Sequence, residues 1–298
     1  MITQVQEAIT FGKRAVIVAP PGAGKTTIVP LKLLDNPNIN GQIIILEPRR
    51  LAARAAASQM AAILNERIGE TVGFKIKGLT KVSKQTRIVV MTEGILIRMI
   101  QSDPSLSEVG CIIFDEFHER SINSDLGLAL SLQLSEILRS DLRILVMSAT
   151  LDVGPVSDLL DTKAPIISDG RAYHVNCEYL SRPRSKNNNL WENFAQLISD
   201  AFEMTEGGIL AFLPGEAEIR ATEKLLEEKL PNAAIIMPLY GSLPFEQQNK
   251  ILEPLKDETL RKVVLSTSIA ETSLTISGIK VVVDSGSVSY THLRAHET

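Results

Sequence analysis

The sequence predicts an α/β protein made of two tandem units, each a parallel, doubly wound sheet covered by helices. Three observations carry that expectation. Short, nearly continuous apolar runs alternate with longer helical patterns, as strands buried on both faces require. The alternation pauses over residues 161–171 and again in the polar stretch 181–189, then resumes. The chain has 298 residues, about twice the length of a typical domain of roughly 150.

In the first half, strands are expected at residues 15–19, 42–46, 87–91, 111–114 and 142–147. Helices are expected over 25–34, 49–66, 93–101 and 124–138. After the pause the pattern returns at 208–212, 216–228, 233–237, 245–251, 262–266 and 280–284. The halves share no sequence self-similarity, so the repeat is one of architecture.

Composition narrows the function. Apolar residues make up 44% and charged residues 22%, an ordinary globular balance. Aromatics are only 4%, which disfavours a base-stacking platform. With a net charge of −4, any nucleic-acid binding has to come from a local basic strip. Cys111 lies in an apolar strand and reads as a small core side chain; with Cys177 it fits a reducing compartment. The first ten residues lack the features of a signal peptide, and no run approaches the roughly 20 apolar residues of a membrane span. A cytoplasmic protein without membrane contact is expected.

The first chemical motif follows the first strand. Residues 19–27 read Ala-Pro-Pro-Gly-Ala-Gly-Lys-Thr-Thr, the tail of a P-loop with Ala19 where the general pattern has glycine. Gly22, Ala23 and Gly24 form a turn whose backbone N–H groups suit phosphate oxygens at a positive helix end. Lys25 is placed to reach the β and γ phosphates, Thr26 to offer its hydroxyl to magnesium, and Thr27 to continue the cradle. An ordinary glycine turn between strand and helix is the alternative, and the Gly-Lys-Thr run weighs against it.

A P-loop needs an acid from a second strand. Asp115 and Glu116 follow the apolar run 111–114, at the strand end that faces the ligand crevice in such sheets. Asp115 is the expected Mg²⁺ residue and Glu116 the group that orients and deprotonates water. His118 lies two residues beyond that base. Ser148 and Thr150 end the next strand, where their hydroxyls either bond the carboxylate loop or merely cap it.

At this point the motif set resembles the DEAH-box subgroup of superfamily 2 helicases, and within it the bacterial HrpB-type branch. The resemblance runs through 19–27, Glu47-Pro48-Arg49-Arg50, Thr92-Glu93-Gly94, Asp115-Glu-Phe-His-Glu-Arg120, Ser148-Ala-Thr150, Phe212-Leu-Pro-Gly215 and the run 266–275. It implies two RecA-like P-loop domains that bind ATP, or other nucleoside triphosphates, with Mg²⁺, and a single RNA or DNA strand contacting both. It assigns the strand to Arg49, Arg50, Thr92, Gly94, Thr267 and Thr272, and the link between hydrolysis and movement to Ser148 and Thr150. The implied activity is triphosphate hydrolysis driving 3′→5′ movement. Arg54, one turn beyond Arg50, is expected to lengthen the basic strip.

Some positions depart from the family's pattern. Gln59 stands where an arginine is expected against the base, Ser277 where an acid is usual near the ribose, and Ser268 where asparagine is usual. After Gly286 the arginine-rich segment expected of the family does not follow. Residues 1–165 are therefore expected to be the first domain, 166–286 an incomplete second domain, and 287–298 a segment foreign to the family. A nucleotide-dependent binding switch that never unwinds a duplex is the rival reading.

Overall fold

The computed structural model of the chain describes residues 1–20, 22–150, 152–162, 164–168, 174–179, 190–271 and 275–287. It divides into two compact units, Met1–Val175 and Asn176–Thr298.

The first unit opens with helix α1 (Ile2–Glu7) and a wide turn over Ala8–Gly12, then strand β1 (Arg14–Val18) and helix α2 (Lys25–Leu33). β2 (Gln42–Glu47), α3 (Arg50–Ile63), the hairpin β3 (Val72–Ile76) and β4 (Leu79–Lys81), then β5 (Ile88–Thr92) and α4 (Glu93–Ser102) follow. β6 (Val109–Phe114), α5 (Ile122–Ile137), β7 (Arg143–Ser148), α6 (Gly154–Leu159) and β8 (Ile166–Ile167) complete it. The sheet order is β4-β3-β5-β2-β6-β7-β1-β8. All pairs are parallel except the β3–β4 hairpin, which sits at one edge. That hairpin escapes notice in the sequence because Gly73 and Lys75 interrupt the apolar residues of β3, and β4 is short and largely exposed.

Both faces of this sheet are buried, which is why the central strands are apolar without alternation. One face packs Ile17, Ile43, Ile45, Val90 and Ile113 against the helix residues Ala53, Ala57 and Met60. The other packs Val16, Ile44, Val89, Ile112 and Phe114 with Leu96, Leu128 and Leu132. The alanine-rich α3 suits that role, since alanine is the strongest helix former and its small side chain lets a helix lie close. The helix stops three residues earlier than the pattern predicts. Asn65 takes a left-handed φ of 56°. Its N–H bonds Ala62 O and the Glu66 N–H bonds Ala61 O, the paired closure of a Schellman cap.

Arginines secure the amino-terminal ends of the strands. Arg143 donates to the carbonyls of Ile9 (3.2 Å) and Asp141 (2.6 Å). Arg139 donates to Ser105, Leu106 and Val109 carbonyls at 2.6–2.9 Å and pairs with Asp141. These guanidiniums add hydrogen bonds to carbonyls around the strand starts and tie those segments together.

The second unit has α7 (Leu190–Met204), β9 (Gly208–Phe212), α8 (Glu216–Lys229), β10 (Ala234–Leu239), α9 (Phe245–Leu252), β11 (Arg261–Ser266) and β12 (Ile279–Asp284). Its parallel sheet runs β10-β11-β9-β12. Arg261, at the start of β11, stacks 3.9 Å from the Phe202 ring centroid and donates to the Phe202 and Gly207 carbonyls. Among the described residues no helix is long and apolar enough to cross a membrane.

Candidate triphosphate and strand site

The chemistry-bearing residues of the first unit collect at the carboxyl ends of β1, β2, β6 and β7, which are neighbours or near neighbours in the sheet. Two glycines make the loop after β1. Gly22 and Gly24 have φ of 78° and 76°, a region that costs other residues about 1–2 kcal/mol. A side chain at Gly24 would also stand 3.0 Å from Ile28 Cγ1. Gly24 caps α2, and Lys25 is its first residue. The first-turn N–H groups of any helix lack intrahelical partners, so this end is electropositive.

Lys25 is buried and turns back over the loop. Its Nζ lies 3.2 Å from Glu116 Oε1 and 3.4 Å from Ala19 O. The Thr26 hydroxyl donates to Asp115 Oδ2 at 2.5 Å. The two groups expected to hold a metal therefore converge on one point, and the charge expected on phosphate sits beside the expected base. The residues present fit a magnesium–triphosphate ligand: one hydroxyl, one carboxylate, one ammonium and a glycine-shaped cradle.

The turn after β6 is sharp. Glu116 has a left-handed φ of 48° and Arg120 one of 46°. The Glu116 N–H bonds Asp115 Oδ1 at 2.8 Å, and Phe117 anchors the turn edge-on against Phe114 with ring centroids 6.2 Å apart. Arg120 covers the Phe117 ring at 5.4 Å and forks onto Asp125 at 2.9 Å. Strain of this kind persists only where surrounding packing fixes it.

Burial, followed by the charge of Glu116, raises the Asp115 carboxyl to about 6. A third acid has the same problem. Glu47, at the end of β2, is fully buried, and burial first, then Asp115 and Glu116, hold its carboxyl well above the usual range. Among the described residues neither of its oxygens has a hydrogen-bond partner. It faces the Asp115 carboxyl, and like charges this close and this buried favour keeping a proton on the pair. The sequence reading quotes Glu47 within a motif but gives it no role. An acid on a strand flanked by acidic strand ends was the available signal.

His118 joins two motifs. Its Nδ1 accepts the Ala149 N–H at 3.3 Å and lies 3.4 Å from Glu116 Oε2. The Ser148 and Thr150 hydroxyls do not bond the carboxylate loop. They bond each other's turn, with Ser148 Oγ 3.2 Å from both the Thr150 O and the Thr150 N. The link to the loop runs through the Ala149 backbone instead.

Of the expected strand contacts, Arg49 caps α3 and Arg50 begins it, exposed. Thr92 ends β5 and caps α4, with Gly94 in that helix's first turn. Arg54 does not extend the strip. Its guanidinium lies over the Phe74 ring at 5.8 Å, with Nε and Nη1 closed off from solvent. In the second unit Thr267 follows β11 and caps a short turn over Ser268–Ala270. Thr272, and the segment from residue 288 onward, lie outside the described residues.

Comparison with known proteins gives two family matches. Residues 3–159 match the DEAD/DEAH box helicase model, and residues 190–296 match the helicase conserved C-terminal domain. The chain is 44% identical over 284 residues to a protein of Escherichia coli named ATP-dependent RNA helicase HrpB, covering 95% of this chain and 35% of that protein. It is 36% identical over 294 residues to the probable ATP-dependent RNA helicase DHR2 of Saccharomyces cerevisiae, covering 95% of this chain and 40% of that one. A crystal structure of the Escherichia coli DEAH/RHA helicase HrpB superposes with a TM-score of 0.85 at 45% identity, over 95% of this chain and 36% of that one. The chain thus spans about a third of the length of its HrpB relative.

Proposed function

Because the chain belongs to the DEAD/DEAH box helicase family, we propose that it is the motor portion of an ATP-dependent RNA helicase. The observation that carries this is the double convergence at the strand ends, with Thr26 on Asp115 at 2.5 Å and Lys25 beside Glu116 at 3.2 Å.

Lys25 binds the β and γ phosphate oxygens as a point charge. Thr26 and Asp115 would hold Mg²⁺, which neutralises charge on the phosphate oxygens when bound. Glu116 orients a water against the γ-phosphorus and takes its proton. His118, held between Glu116 and the Ala149 amide, ties that step to the Ser148–Thr150 turn. Arg49, Arg50, Thr92 and Gly94 in the first unit, with Thr267 and Thr272 in the second, contact the backbone of a single strand. Such contacts set position rather than sequence. A cytoplasmic setting agrees with two free cysteines.

The test is phosphate release with Mg²⁺ or EDTA, with and without single-stranded RNA or DNA, in protein carrying Glu116 or Glu116→Gln. Metal-dependent release lost in the variant and raised more by RNA than by DNA is the expected result. Release indifferent to both EDTA and the substitution overturns the reading.

A further inference from the structure

The turn that follows the catalytic acids carries another acid with no part in that chemistry. Glu119 closes the short turn Phe117–Glu119, three residues after Glu116. Its Oε2 lies 3.7 Å from Arg49 Nη2, with 21% and 27% of the two side chains exposed. Its Oε1 is shut off from solvent and has no hydrogen-bond partner among the described residues. The charge of Glu119 is felt by Glu47, which faces Asp115, and by Glu93, the neighbour of Thr92. One carboxylate therefore stands among a strand-contacting arginine, the Thr92–Gly94 turn and the buried acids of the triphosphate pocket.

A guanidinium accepts a carboxylate or a phosphate with the same fork of N–H donors. At the start of a helix the macrodipole disfavours a cation, so an anion beside Arg49 is favoured. Glu119 is such an anion within the protein, and a strand phosphate is the competing one from outside.

We propose that Glu119 is a positioning residue that holds Arg49 in the place of a strand phosphate, so that strand binding exchanges one anion for the other. This rests on the reading of Arg49 as a phosphate contact. The exchange leaves Glu119 with neither oxygen paired and with acids on its inner side. The turn that bears it, with His118 at its centre, is continuous with Glu116. Arrival of a strand is thereby communicated to the hydrolytic acid through three residues of backbone.

The experiment is a double-mutant cycle on strand affinity, read by anisotropy of a fluorescein-labelled single-stranded RNA at several salt concentrations. The proteins are wild type, Glu119→Gln, Arg49→Ala and the pair. Glu119→Asp keeps the charge, and Glu136→Gln removes an equal charge from an exposed pair with Arg14 at the opposite end of the sheet. Release from a partly exposed ion pair corresponds to about a two- to fivefold gain in affinity for Glu119→Gln. The expected result is that gain with Arg49 present, none with Arg49→Ala, none in Glu136→Gln, and near wild-type affinity in Glu119→Asp. Equal gains with and without Arg49, or no gain with it, overturn the role of Glu119. If Arg49→Ala by itself leaves affinity and salt slope unchanged, the strand reading of Arg49 has failed instead.

Discussion

Lys25 and Glu116 form a buried ion pair, with Nζ and Oε1 3.2 Å apart and 3% and 9% of the side chains exposed. The ammonium proposed to meet phosphate thus lies directly against the carboxylate proposed as the base. Each of the two charges makes burial of the other tolerable, because an unpartnered ion in this position would have to neutralise itself.

Lys25→Ala is expected to remove most ATP affinity, since no other ammonium is seen in the pocket among the described residues. It also leaves Glu116 without its counter-charge, at a stability cost on the order of 3–5 kcal/mol. Adding Glu116→Gln should restore much of the stability and none of the affinity. Titration with a fluorescent ATP analogue and urea unfolding separate the two effects. Wild-type affinity in the single variant would sink the phosphate role of Lys25.

Glu116→Gln should keep ATP–Mg binding and lower turnover by roughly 10²–10⁴, the range of a lost general base. The measurement is steady-state phosphate release at saturating ATP, made on protein whose wild-type form turns over. A loss under tenfold would mean that another group positions the water.

Arg49→Ala with Arg50→Ala should weaken single-strand binding for all sequences alike. Two lost phosphate contacts reduce the slope of log affinity against log salt by about 1.4. ATP affinity should barely move. An unchanged slope would mean that these side chains face elsewhere.

Glu47→Gln tests the crowding of acids by pH. An acid whose folded pKa lies above its unfolded one stabilises the fold while protonated. That contribution is whole below the unfolded value and is lost as pH rises through the folded one. For Asp115 the window runs from its ordinary 3.8 to about 6, and Glu47 is shifted in the same direction. Glutamine has the shape of the protonated acid, so the variant in EDTA should melt a few degrees above wild type at pH 8. The advantage should vanish towards pH 4. A constant difference across that range would show that Glu47 keeps no proton on folding.

His118→Ala should uncouple strand from hydrolysis rather than abolish hydrolysis. Nδ1 has one site for either the Ala149 N–H or a proton aimed at Glu116, never both. Basal phosphate release should fall by less than tenfold while strand stimulation is largely lost. Full stimulation in the variant would remove His118 from the link.

The convergence of Lys25 and Thr26 on Asp115 and Glu116 was legible because strand, glycine turn and helix follow one another along the chain, so Gly24, Lys25 and Thr26 carry their context with them. The acids Asp115 and Glu116 were legible for the same reason. Other features depend on what distant strands bring. The burial of Glu47 comes from flanking strands, and the position of Arg54 from Phe74 on β3. The partner of His118 is a backbone amide, which leaves no mark in a sequence. The early stop of α3 hinges on Asn65 adopting a glycine-like conformation, which asparagine does more readily than most residues but not by rule.

The two ends of the strands use charge differently: at the amino ends arginines hold backbone carbonyls, while at the carboxyl ends of the first unit Lys25 meets a cluster of buried acids. The two ends would decay differently under relaxed selection. A descendant that kept the shape as a scaffold but had no further need of triphosphate would be free to lose Lys25, Asp115 and Glu116, relieving a crowded pocket as it did so. Arg139, Arg143 and Arg261 would stay, because each ties together backbone segments distant in the chain. A genome would then show the difference directly, with arginines intact beneath an eroded P-loop marking a retired motor whose fold is still in use.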